Sequence, residues 1–316
     1  MYVQVALAMV GGLLGWAYVA TKPPPAKVCG SPGGPPVTSP RVKLSDGRHL
    51  AYKETGIPKE EAKHKIIVVH GFDSSKDLNL PVSQELIEEL RIYFLSFDRA
   101  GYGESDPHPL RTVKSEAFDI QELADILQIG PKLSGASLVV PFVNYWWPCF
   151  PANLSKEAFK MLLVQDQWAF RVAHYVPWLF NWWMTQKWFP SLSMLAGNMA
   201  VFSRPDLEIL KKLAEIPSVG QEKIRQQGLH ESLFRDIMAG YGKWEFDPLD
   251  IANPSPNNRS VHIWQGREDK IIPFQLNRYI SAKLPWIRYH EVPDAGHFLI
   301  FDSSLCEAIL REMLLE

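Results

Sequence analysis

Cysteine is scarce: Cys29, Cys149 and Cys306 are the three in 316 residues. So few thiols, so widely scattered, exclude a disulfide framework and a cysteine-built zinc site. An excess of either charge is also missing. Lys+Arg number 33 against 35 Asp+Glu, a formal net charge of −2. A phosphate-binding surface needs a basic surplus, so nucleic acid is not an expected partner. No cofactor and no metal are expected. Disorder and collagen-like repeats are excluded too, because 46% hydrophobic and 22% charged residues is ordinary globular usage. The length admits one large domain or two small ones, with a sizeable core either way.

Charge is absent altogether from residues 1–21, MYVQVALAMVGGLLGWAYVAT. That run matches the roughly 20 residues a helix needs to cross a bilayer. Trp16 and Tyr18 sit near its end, where amphipathic rings favour the headgroup layer. Residues 1–21 are therefore expected to be a single-pass membrane anchor. A cleaved signal peptide is the rival reading; it fits less well, because no Lys or Arg precedes the run and no clear small-residue cleavage site follows it. Lys22, Lys27, Arg41 and Lys43 lie after the segment, which places the main domain on the cytosolic side. Residues 22–40 are rich in Pro, Gly and Ser and read as an irregular linker.

From Arg41 onward, apolar runs alternate with helical patterns. RVKLSDGRHLAYKETG reads as two strands around the hairpin signal Asp46-Gly47. KIIVVHGF and YFLSFDRAGYGESD are continuous apolar strands with polar tips, of the kind found in sheets covered on both faces. SEAFDIQELADILQIG has apolar residues at helical spacing, ASLVVPFVN is another buried strand, and VHIWQGREDKIIP and IRYHEV restore the pattern late in the chain. Residues 146–250 lose the alternation. They are helical in character, and seven of the 11 tryptophans lie between Trp146 and Trp188. The expected architecture is α/β, a mostly parallel sheet with helices on both faces built from 41–145 and 251–316, with 146–250 as a helical cap. In such sheets the chemistry sits at the carboxyl ends of the strands.

The polar tips there carry a resemblance. His70-Gly71-Phe72 resembles the oxyanion turn of the α/β-hydrolase family. Asp98-Arg99-Ala100-Gly101-Tyr102-Gly103-Glu104-Ser105-Asp106 resembles the family's D-x-x-G-x-G-x-S turn. Gly266-Arg267-Glu268-Asp269 resembles the loop that carries its acid, and Gly296-His297-Phe298 the loop that carries its base. The four stand in family order across nearly all of 41–316, and the aromatic block sits where the family inserts a lid. Plant membrane-anchored members are the most similar in character. The resemblance implies serine-dependent hydrolysis of a carboxylic ester or lipid, with Asp269 orienting His297 and the Gly71-Phe72 turn donating to an oxyanion.

The family's serine stands in a G-x-S-x-G elbow between a strand and a helix, and no such elbow is present. After Ile129-Gly130-Pro131-Lys132 the chain passes directly to Leu133-Ser134-Gly135-Ala136-Ser137-Leu138-Val139-Val140, which reads as the strand that follows the elbow helix. A strand, an elbow and a helix, roughly 20 residues, are missing. Gly135-Ala136-Ser137-Leu138-Val139 lacks the second glycine and continues as a strand, so Ser137 reads as a strand serine rather than a nucleophile.

Bland roles compete for the other residues. Asp269 has the position of a helix cap as well as of an acid, and Asp294 that of a loop cap. Cys149 reads as packing. The tryptophans of 168–188 suit a lid over an apolar pocket or a membrane-facing patch equally. An epoxide hydrolase with an Asp nucleophile ranks lower, because Asp73 rather than Pro follows His70-Gly71-Phe72. Three functional readings remain: a serine hydrolase, a non-catalytic hydrolase-like scaffold for an apolar ligand, lipid or partner, and a shortened isoform of an active enzyme. The absent serine favours a chain that is inactive or crippled.

Overall fold

A computed structural model describes residues 2–130, 133–216, 220–254 and 261–315. The chain opens with helix α1 (Tyr2–Thr21), whose described side chains are mostly exposed. Among the described residues no helix is long and apolar enough to cross a membrane, so the expected spanning anchor finds no support. Residues 22–40 form neither helix nor strand, as their composition dictates, yet they are fastened to the core. Thr38 N–H (2.7 Å) and hydroxyl (2.5 Å) and Ser39 N–H (2.9 Å) donate to the buried Glu104 carboxylate.

Strands β1 (Arg41–Lys43) and β2 (His49–Gly56) pair antiparallel through the turn at Asp46-Gly47. Gly47 has φ +91°, a conformation that a β-carbon disfavours. β3 (His64–Val69) leads to α2 (Gln84–Leu90), capped by the Ser83 hydroxyl, and then to β4 (Ile92–Phe97). α3 (Val113–Ile126) starts in a Thr112–Ser115 capping box. β5 (Ala136–Val139) is followed by no helix until α4 (Ala152–Met161). Then come α5 (Val164–Tyr175), α6 (Pro177–Thr185), α7 (Arg204–Ala214), α8 (Gln221–Ile224) and α9 (Arg235–Tyr241). β6 (Val261–Gly266), α10 (Phe274–Lys283), β7 (Ile287–Val292) and α11 (Ser303–Leu315) complete the chain. The segment 146–250 is thus helical, and its aromatic residues join the largest apolar cluster, with Tyr102, Phe180 and Leu276 at its buried centre.

The strands fall into two sheets. One has the order β1-β2-β4-β3, with β3 and β4 parallel; the other is the parallel trio β5-β6-β7. Among the described residues no strand pairs with the outer edge of β3 or of β5. Burial follows from this. All six residues of β4, which has neighbours on both sides, are buried. In β3, Val69 is 47% exposed, and in β5, Leu138 is 42% exposed. The expected mostly parallel sheet is present, divided between these two sheets. The junction at Lys132, where the segment is expected to be missing, lies outside the described residues.

Candidate active site

Asp269 lies in the turn after β6. Its Oδ1 accepts from Ile271 N–H (2.8 Å) and Ile272 N–H (2.9 Å), which closes the turn before α10. Its Oδ2 lies 3.0 Å from Nδ1 of His297, in the loop after β7, and also accepts from the Gln265 amide at 3.2 Å. The cap and the partner of His297 are therefore one carboxylate using two oxygens. Gly266 and Gly296 make the approach of the two loops feasible. A β-carbon on Gly266 would meet the Ala295 and Gly296 carbonyls, and one on Gly296 would meet the Ser203 hydroxyl and the Asp206 carboxylate.

His297 is half-buried and Asp269 fully buried. Burial alone would lower the imidazole pKa. The adjacent Asp269 carboxylate, its hydrogen bond and the Asp206 charge overcome that and raise it above the ordinary histidine value. Asp206 was not legible as a site residue. It accepts Phe298 N–H at 2.8 Å and the Ser203 hydroxyl at 2.6 Å; the pattern Ser203-x-x-Asp206 before a helical run is its sequence signal, a capping box at the start of α7. Among the described residues the imidazole has no bond to any serine hydroxyl. Ser203, the near neighbour of Gly296, commits its hydroxyl to Asp206. Ser137 lies inside β5 in register with His262, and its buried Oγ has no hydrogen-bond partner among the described residues. Asp294 is exposed and has no bond to His297.

The turn after β3 is braced from below. Arg99 N–H donates to His70 Nε2 at 3.0 Å, so the His70 proton resides on Nδ1, which bonds the Gly71 carbonyl at 2.8 Å. Burial, then the Arg99 charge, push the His70 pKa well down and keep the ring neutral. Asp73 sits at φ +55°, held by Arg225 through Nε at 2.7 Å and a second guanidinium bond. Phe72 N–H makes no hydrogen bond among the described residues, and nothing stands within 4 Å of where a Gly71 β-carbon would be. Such a turn leaves one donor available to an anionic oxygen. Below it, Asp236 receives Arg99, Arg111 and the Tyr102 hydroxyl; burial alone would raise its pKa, and the two guanidinium groups hold it far below the carboxylate range. No motif announces that network, because its members come from distant segments.

Burial first, then the Asp247 carboxylate, push the Cys149 thiol up to about 12, which disfavours the thiolate. The tryptophans divide. Trp146 and Trp147, with Tyr145, Phe150, Phe159 and Tyr175, line a cleft of about 380 Å³. Trp178 and Trp188 are 67% and 88% exposed. Neither this cleft nor a smaller one of about 130 Å³ beside Trp244 is lined by Phe72, Asp269 or His297.

Solved structures share this architecture. A thermophilic esterase from Thermogutta terrifontis superposes with a TM-score of 0.53 at 18% identity, over 88% of this chain and 98% of its own. A structure from work on carboxylesterases of the thaumarchaeon Nitrososphaera gargenis gives 0.56 at 12% identity, over 87% and 98%. A Mycobacterium tuberculosis protein gives 0.52 at 16%, over 87% and 96%. No protein-family model and no curated protein matches the sequence. The chain has the α/β-hydrolase fold. At these identities the likeness extends to the fold and no further.

Proposed function

We infer that this chain is a hydrolase-fold scaffold that has kept the acid and base of an ester-cleaving machine and lost its nucleophile. The observation that carries this reading is the environment of His297. Asp269 fixes Nδ1, which leaves Nε2 as the nitrogen that would take a proton from an attacking hydroxyl. No serine hydroxyl meets it among the described residues. The edges of β3 and β5, which no strand pairs among the described residues, support the same reading, since an elbow grows from a strand. Without the elbow the second oxyanion donor, the N–H after the nucleophile, is lost too. Residual help from the base and from Phe72 N–H is small: loss of the serine in subtilisin costs about 10⁶ in kcat. An internal deletion relative to an active serine hydrolase is the origin this reading favours.

The ligand class follows from the aromatic cleft, whose lining suits an apolar molecule or acyl chain. A lipid surface is the proposed partner of the outer face. α1, uncharged along its length, lies against α6, which carries the exposed Trp178. Indole rings beside an apolar helix favour the headgroup layer. On this reading α1 and α6 rest on the cytosolic face of a membrane rather than α1 spanning it.

A fluorophosphonate probe and p-nitrophenyl esters of graded chain length test the inactive reading. The expected result is no covalent labelling and no hydrolysis above a His297→Ala control. Stoichiometric labelling of any serine, with turnover lost in His297→Ala, would establish the serine-hydrolase reading instead.

A further inference from the structure

Away from the Asp269–His297 pair, a polar cluster lies between the β5-β6-β7 sheet and α11. His262 from β6 is fully buried. Its Nδ1 stands 2.9 Å from Nε2 of His290 on β7. Glu312 reaches the same point from α11, and the three ligating atoms all lie within 4.8 Å of one another. Trp264 stacks on His290 at 4.0 Å and 7°, which fixes the ring plane. Ser137, the register partner of His262 on β5, projects to the same side of the sheet. Its Oγ is buried without a hydrogen-bond partner.

We propose that His262, His290 and Glu312 form a binding site for one zinc-class divalent cation, which staples α11 to β6 and β7. Two imidazoles and one carboxylate, with a fourth position left to water, is a recognised donor set for zinc. Bonds of about 2.0–2.1 Å at a tetrahedral angle need the two nitrogens about 3.3 Å apart. The observed separation is therefore a few tenths of an ångström short, which a small ring rotation supplies. Burial biases both imidazoles toward the neutral form that ligates a metal, against the Glu312 charge, which favours protonation. The opposing charge is Arg288, register partner of His262; its side chain is on an exposed residue, where water screens it. A staple here has a mechanical meaning, because among the described residues no strand pairs with the β5 edge of this three-stranded sheet.

The test is zinc titration of the chelator-treated full chain, by calorimetry and by competition with a chromophoric chelator. Expected are one Zn²⁺ per chain at micromolar affinity or tighter, a rise in Tm with Zn²⁺, and visible bands of a four-coordinate Co²⁺ derivative. His290→Ala should abolish all three. Glu312→Gln is at a half-exposed helix position, so the fold survives; it should weaken zinc at least about tenfold and leave the metal-free Tm unchanged. Absence of stoichiometric uptake by the folded chain would overturn the proposal, as would Glu312→Gln and His290→Ala variants that bind like the parent.

Discussion

Outside the Asp269–His297 pair, Glu104 is a residue with a well-defined electrostatic role. Its carboxylate is fully buried, which alone would raise its pKa. Hydrogen bonds from Thr38 and Ser39 and the Lys76 charge bring it down to about 2, from 4.5. A depressed carboxylate contributes stability that is present above pH 4.5 and lost as pH falls through about 2. Glu104→Gln should therefore lower the urea midpoint at pH 7 by about 1.5–3 kcal/mol in stability. The gap between variant and parent should close as pH falls from about 4.5 toward 2. A gap that is the same at both pH values would refute the assignment. In the sequence this glutamate stands inside a glycine-rich turn, and its partners lie 65 and 66 residues earlier. That is why it was not legible there. The pairing of Asp269 with His297 was legible only through the resemblance of their two loops to the α/β-hydrolase family. Asp206, Asp236 and the pairing of His262 with His290 were not, because they depend on which strands and helices become neighbours.

At the scale of elements, the hairpin at Asp46-Gly47, the strand runs and the helical spacing of α3 translate directly into structure. Local periodicity and turn chemistry decide them. The membrane-spanning expectation for residues 1–21 fared differently. Among the described residues no helix is long and apolar enough to cross a membrane. The division of the strands into two sheets was not readable, because which strands become neighbours is a matter of topology. An insertion of a strand, elbow and helix after Lys132 should fill the gap and bury Val69 and Leu138. The expected outcome is a Tm higher by about 5 °C or more in differential scanning calorimetry. No change would mean that the two edges are already satisfied in solution.

At the scale of the whole molecule, α1 lies against α6, which carries the exposed Trp178, while the Asp269–His297 pair sits in the loops after β6 and β7. The double variant Trp178→Ser, Trp188→Ser replaces two exposed residues and should fold normally. It should bind phosphatidylcholine vesicles at least about tenfold more weakly in co-sedimentation, a difference of about 1.4 kcal/mol. Equal binding by parent and variant would remove the lipid surface as partner of this face.

The open borders of β3 and β5 have one more consequence. They belong to different sheets and differ in sequence, so the contact of one copy's β3 with another's β5 is head-to-tail and leaves a fresh border at each end. Growth by that route stops only where the rotation between copies closes a ring, and otherwise continues as a filament.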